Sequence, residues 1–196
     1  MKTSIGPGNL SPYSLVLHSI QFFGSHFLFV FGLGLAAALG RAIQLGAIGE
    51  LRGGVNFLLE IIIESARVLT FLLVIGEGSI DKGLQRIKGI FYLNRDQWKS
   101  IRETVITKLK VNWIALLANL VIYSVIAFVV NFIIDKLTYD TNLLNGLKNS
   151  HILAPQTTEW VLLLFFKNMT VIPFTIIFNG ILMLWITNVK RYRIPA

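Results

Sequence analysis

Four long stretches of mostly apolar residues limit what this chain can fold into. They cover residues 15–39, 55–76, 111–134 and 160–187. An α-helix of about 20 apolar residues crosses the hydrocarbon core of a bilayer, and a small soluble domain has no place for four of them. The composition agrees, because 14% of the residues are charged, whereas a typical soluble domain has about 25%.

The sequence therefore predicts an all-α, polytopic integral membrane protein whose residues 1–196 form a single membrane domain with four transmembrane helices. Ala36, Ala37 and Ala38 offer an alternative, because small residues resemble a signal-peptidase site. The apolar stretch before them is longer than the usual 7 to 15 residues of a signal peptide, which favours a membrane span.

Lysine and arginine are unevenly distributed between the connecting segments. Residues 77–110 and the C-terminal tail together hold eleven, whereas residues 40–54 and 135–159 hold four. The positive-inside rule then predicts that both termini and residues 77–110 are cytoplasmic. This topology and attraction to an anionic inner leaflet account for the net charge of +8. No nucleic-acid-binding motif accompanies the basic residues, so we expect no nucleic acid partner.

The cytoplasmic segment 77–110 is patterned for one or two amphipathic helices. Apolar residues recur at helical spacing after Ser79 and again after Asn94, for which Gln97 is placed as a capping-box partner. The first stripe is Ile80, Leu84, Ile87 and Phe91, and the second is Trp98, Ile101, Val105 and Leu109. We expect the second helix to run into the third span at about Val111. The pattern fits an interfacial anchor, and it also fits a docking surface for a partner.

The second span carries three ionisable residues, Glu60, Glu64 and Arg67. At about 100° per residue these side chains share one helix face, and a charge at the bilayer centre costs about 2.5 to 3.5 kcal/mol. They therefore need partners. Lys167 in the fourth span is predicted at a similar depth, and Arg67 can also reach Glu64 at spacing i, i+3. Two acids and two bases predict a neutral, buried cluster between the second and fourth spans.

Two interpretations of this cluster stay open. In the first, it is a polar clamp that fixes how helices or subunits pack. In the second, it lines a polar pathway in which Glu60 or Glu64 changes protonation as an ion or solute passes.

Several other residues in the spans are candidates for helix packing. Gly32, Ala36 and Gly40 repeat at four-residue spacing, which allows close approach of another helix within the chain or in a homo-oligomer. Pro173 lies near the middle of the fourth span and predicts a kink, either a static bend or a hinge. Four asparagines are expected to form hydrogen bonds between helices: Asn119, Asn131, Asn168 and Asn179.

The sequence contains no phosphate-binding loop, nucleophile elbow or metal-binding helix motif, so it predicts no enzyme activity, no cofactor and no metal. The function it favours is that of an integral membrane subunit or accessory protein that acts through helix–helix assembly. Its expected partners are the bilayer and either further copies of the chain or other membrane subunits. The alternative is a small transporter or channel subunit that uses Glu60 and Glu64; a membrane-embedded enzyme ranks third.

Overall fold

The computed structural model describes residues 10–49, 51 and 53–188. Within these residues the chain is helical, with no strands, which confirms the all-α prediction. The helices are α1 (Ser14–Ser25), α2 (Phe27–Gln44), α3 (Gly53–Ile75), α4 (Ile80–Phe91), α5 (Arg95–Tyr139), α6 (Leu143–Asn149), α7 (Glu159–Met169) and α8 (Val171–Thr187).

Three helical stretches in the described part of the chain are long and apolar enough to cross a membrane: Phe27–Gln44, Arg95–Tyr139 and Glu159–Thr187. The third of these combines α7 and α8. The predicted second span forms α3, which carries three ionisable residues and is not among these three stretches. The tail cations Lys190, Arg191 and Arg193, as well as Lys2 and Arg52, lie outside the described residues.

The predicted first span, residues 15–39, is divided in the structure. His26 has φ −119° and ψ 25° and ends α1, and α2 begins at the next residue. The helix apolar enough to cross a membrane is therefore α2, which extends to Gln44, five residues beyond the predicted end.

The predicted run of helix from the cytoplasmic segment into the third span is present as α5, but it bends at Asn112, whose φ is −115° and ψ is 17°. At this bend the Asn112 side-chain amide donates to the Lys108 carbonyl at 3.3 Å. The side chain thus bonds to its own helix at the bend.

Contacts divide the described residues into two compact units. The first contains residues 10–26, 71–125 and 176–188, and the second contains residues 27–49, 51, 53–70 and 126–175.

In the first unit, an asparagine from α5 caps the N-terminus of α1. The first turn of a helix leaves N–H groups without intrahelical partners, and Tyr13 at the N-cap makes no side-chain hydrogen bond. Asn119 Oδ1 accepts the N–H groups of Leu15 and Val16 at 2.9 and 3.4 Å, and its Nδ2 donates to the Ser11 carbonyl at 2.8 Å. Asn119 is fully buried, so its hydrogen bonds form away from water.

The end of α3 and the start of α4 form a tight helical hairpin in the same unit. The Gly78 N–H donates to the Leu73 carbonyl at 2.8 Å and the Glu77 N–H donates to the Val74 carbonyl at 3.0 Å, which is the hydrogen-bond pattern of a Schellman cap. The Ser79 hydroxyl then accepts the N–H of Lys82 and caps α4. A Cβ atom added at Gly83 would overlap the Leu72 carbonyl, so the two backbones are in direct contact.

Two cations of the first unit partner carbonyls near helix ends. Arg86 donates to the carbonyl of Ile75, the last residue of α3, and lies 3.5 Å from the Glu77 carboxylate. Lys108 donates to the Trp185 carbonyl near the end of α8, with its Nζ 5.2 Å from the centroid of that indole ring. Such contacts satisfy carbonyls that have no later N–H to bind and complement the negative end of the helix dipole.

In the second unit, α2 packs along α7. One apolar cluster joins Ala37 of α2 to Ile63 and Ala66 of α3. The segments that follow α2 and α6 are also joined by a hydrogen bond, in which the Ala154 N–H donates to the Ala47 carbonyl at 2.8 Å.

Asn119→Ala should destabilise the packing of α1, because it leaves buried N–H groups without acceptors, at a cost of about 1 to 3 kcal/mol. Backbone amides at residues 14–19 should exchange faster in hydrogen–deuterium exchange, and the apparent melting temperature in detergent should fall. Asn131→Ala is the matched control, because the Asn131 amide donates to the Ala127 carbonyl of its own helix. Equal effects of the two substitutions would contradict the capping role.

Gly83→Ala should weaken the α3–α4 hairpin, because the added methyl group meets backbone atoms that cannot rotate away. Overpacking of this kind costs about 1 to 3 kcal/mol. The measurement is again the apparent melting temperature, with Gly24→Ala as the control, because a Cβ at Gly24 in α1 meets no atom within 4 Å. A Gly83→Ala protein as stable as the control would show that the helices are not in backbone contact.

Candidate functional site

The ionisable residues of α3 lie within one uninterrupted helix, so Glu60, Glu64 and Arg67 share a face as the spacing predicts. The structure divides them between two polar groups of the second unit. Arg41 and Gln44 of α2 surround Glu60, whereas Glu64 and Arg67 pair with each other and reach α7.

The Glu60 group joins α2 to α3. Arg41 Nη1 lies 3.2 Å from one carboxylate oxygen of Glu60, and Gln44 Nε2 donates to the same oxygen at 3.0 Å. Gln44 also accepts from Arg41 at 2.8 Å and donates to the Asn56 carbonyl at 2.9 Å. An ion pair and an amide therefore hold the end of α2 against the first turns of α3.

The Glu64 group joins α3 to α7. Arg67 forms an ion pair with Glu64 at the expected spacing i, i+3. Its second terminal nitrogen donates to Asn168 Oδ1 at 3.0 Å. Asn168 is 2% exposed, and its own amide donates to the Leu164 carbonyl at 2.8 Å. Arg67 thus neutralises a carboxylate on its own helix and also binds a buried amide on another.

The expected pairing of Lys167 with the two carboxylates is not observed. Among the described residues, Lys167 makes no hydrogen bond or ion pair, and Glu60 has Arg41 as its cation. A rotation of about 100° separates neighbouring residues on a helix, and α7 turns Asn168 toward Arg67. Asn168 was expected to bond across helices, and it does so.

Arg41 and Gln44 were missed as site residues. The predicted first span ends at residue 39, which leaves Arg41 in the segment between the first and second spans. In the structure α2 continues to Gln44. The spacing of Arg41 and Gln44 in the sequence could have indicated their shared role. A cation and an amide at i, i+3 lie on the same face of a helix that extends that far.

The predicted small-residue set has two environments. Gly40 is buried, and a Cβ added there would lie 2.9 Å from Ile63 Cγ1, so this glycine does allow α2 and α3 to approach closely. Gly32 and Ala36 are exposed, and a Cβ at Gly32 would meet no atom within 4 Å. Gly34 lies on the buried side of α2, where a Cβ would be 3.3 Å from the Asn168 carbonyl oxygen.

The predicted fourth span is interrupted three residues before Pro173. Thr170 has φ −124° and ψ −74° and separates α7 from α8. Pro173 has no N–H to donate to the Met169 carbonyl, so a continuous helix would lose a hydrogen bond here. At the interruption the Phe166 carbonyl accepts both the Thr170 N–H at 3.1 Å and the Thr170 hydroxyl at 2.7 Å. Asn168, which binds Arg67, lies two residues before this point.

The side chains of these groups are carboxylates, guanidinium groups and amides. They can hold ion pairs, bind a polar group of another helix or exchange a proton at a carboxylate. Among the described residues, no group of three or more His, Asp or Glu side chains is placed to hold a metal ion.

Comparisons of this chain with protein families, with curated proteins and with solved structures yield no match.

Arg41→Gln should destabilise the protein more than the double substitution Arg41→Gln with Glu60→Gln. The single change leaves a carboxylate without its cation, which is costly in a low-dielectric environment, whereas the double change removes both charges. Apparent melting temperature and yield in detergent measure the difference. If the double variant loses as much stability as Arg41→Gln and Glu60→Gln lose together when measured singly, Arg41 and Glu60 are not energetically coupled.

Proposed function

We propose that this chain is an integral membrane subunit that assembles with other transmembrane helices through the charged face of α3. The proposed topology has four spans, with α3 as the second, and cytoplasmic termini. The three long apolar helical stretches support a membrane location. The basic residues of segment 77–110 and the tail support the orientation.

The observation that carries the proposal is the exposure of the α3 carboxylates. The Glu64 side chain is 51% exposed and that of Glu60 is 45% exposed, although each already has a cation beside it. In a membrane span, a half-exposed ion pair facing lipid would keep its desolvation cost without gaining further hydrogen bonds. Contact with polar groups of another helix would supply these bonds and remove the face from lipid.

The assembly proposed here is non-catalytic, with a second copy of the chain or another membrane protein as the partner. Gly32 and Ala36 are exposed small residues of α2 that would allow a second helix to approach closely.

A transporter or channel subunit is the second candidate, and the interruption at Thr170 favours it. Transport proteins often place polar binding groups beside broken helices. Here α7 ends one residue after Asn168, and Asn168 accepts a hydrogen bond from Arg67. In this alternative Glu64 or Glu60 would exchange a proton during transport.

Glu64→Gln should reduce assembly, because it leaves Arg67 as an uncompensated cation on the proposed contact face. The measurement is the mass of the purified particle by light scattering, together with the membrane proteins that co-purify. Asp140→Asn is the matched control, because Asp140 forms an exposed ion pair with Lys136 at 2.6 Å near the end of α5.

The same variant separates the two candidates. Loss of partner subunits or of the homo-oligomer, with the control unchanged, supports assembly. An assembled Glu64→Gln protein that loses ion or solute flux in vesicles contradicts the assembly proposal and supports transport.

A further inference from the structure

We propose that α4 and the first part of α5 form a surface that binds the anionic headgroups of the membrane leaflet, with its apolar side chains entering the interface. This basic aromatic surface consists of Leu84, Lys88, Phe91, Tyr92, Arg95 and Trp98. All six side chains are exposed, and all belong to the first unit.

Internal packing leaves the apolar side chains of this surface free. The residues of α4 that are buried are glycines, Gly83 and Gly89, because this helix approaches α3 backbone to backbone. The larger apolar side chains lie elsewhere on the helix, where Leu84 is 42% exposed and Phe91 is 81% exposed. Tyr92 and Trp98 extend the apolar character across the turn into α5, with exposures of 81% and 50%.

The cations on and around the surface are also free. Two basic residues of the segment, Arg86 and Lys108, are engaged with helix carbonyls. The remaining six are exposed, and within the described residues their side chains make no hydrogen bond or ion pair: Lys82, Lys88, Arg95, Lys99, Arg102 and Lys110. They outnumber the three exposed carboxylates of α4 and of residues 95–110 in α5, which are Asp81, Asp96 and Glu103. The surface is therefore complementary to an anionic partner.

Helix continuity identifies that partner as lipid. The helix that begins at Arg95 is one of those apolar enough to cross a membrane, and its apolar stretch starts at about Val111. The surface is thus tethered beside a bilayer. Aromatic rings among exposed cations suit the interface, where rings lie at headgroup depth and each Lys or Arg contributes about 1 kcal/mol of attraction to an anionic leaflet.

The apolar contact is tested by labelling single cysteines, since the natural chain contains no cysteine. Leu84→Cys and Lys82→Cys occupy exposed positions of α4 that are turned about 160° apart. Each full-length variant carries an environment-sensitive fluorophore in vesicles of phosphatidylcholine, alone or mixed with phosphatidylglycerol. The label at residue 84 should report an apolar environment and be quenched by brominated lipid, whereas the label at residue 82 should report water.

The electrostatic contact is tested with Lys88→Gln and Arg95→Gln in the Leu84→Cys chain. Each substitution should weaken the apparent affinity for phosphatidylglycerol about fivefold, measured as the anionic lipid content that half-saturates the fluorescence change. Lys136→Gln and Lys148→Gln are the matched controls, because they remove the same charge from residues 135–159. An unchanged gel-filtration profile verifies that each variant is folded.

Two outcomes would overturn the proposal. If labels at residues 84 and 82 both report water in the mixed vesicles, the surface does not enter the leaflet and is open to a protein partner instead. If the residue 84 label is buried equally in neutral and anionic vesicles, and the glutamine variants behave like the controls, the cations do not recognise anionic lipid.

Discussion

A membrane interior offers no water, so each backbone polar group there must find a partner within the protein. This constraint accounts for the helical content of the chain and for the side-chain hydrogen bonds found where its helices bend, begin or end. At Asn112 a side-chain amide binds the Lys108 carbonyl, and at Thr170 a hydroxyl binds the Phe166 carbonyl. Where α1 begins, Asn119 accepts two N–H groups that its own helix cannot satisfy. Side chains thus add hydrogen bonds to the backbone at each of these points.

Close helix contact follows from the same constraint, because lipid is as apolar as leucine and burial of apolar surface drives little association between helices. Helix packing therefore depends on how closely the surfaces of two helices can approach each other. Among the described residues, glycines allow such close contact at several places, including Gly83 against Leu72, Gly40 against Ile63, and Gly180 against Val74, whose Cγ1 would lie 2.6 Å from an added Cβ. Each of these contacts would be lost with a side chain of ordinary size.

The lengths of the apolar stretches predicted the all-helical membrane class, and the i, i+3 spacing predicted the Glu64–Arg67 pair. Both predictions depend on residues that are near each other in sequence. The partner of Glu60 and the cap of α1 were not predictable in this way. They depend on how far α2 extends and on how each helix is rotated, and hydropathy determines neither. A difference of one residue, about 100° of rotation on α7, places Asn168 rather than Lys167 against the ionisable face of α3. The interruption at His26 likewise had no proline to signal it.

Charged residues are paired on α3 but largely unpaired on α4 and the first part of α5, and the cost of removing a charge from water bears on both arrangements. On α3, each carboxylate has a guanidinium beside it, so the Glu60 and Glu64 ion pairs carry no net charge. On α4 and the first part of α5, exposed cations outnumber carboxylates and lack partners among the described residues. Water screens such charges, and anionic headgroups attract them, so they carry little of the desolvation cost that pairing has to offset. With α3 in the membrane and α4 at its surface, as proposed, the cost of desolvation accounts for both arrangements: paired charges where water is absent, and free cations beside anionic headgroups.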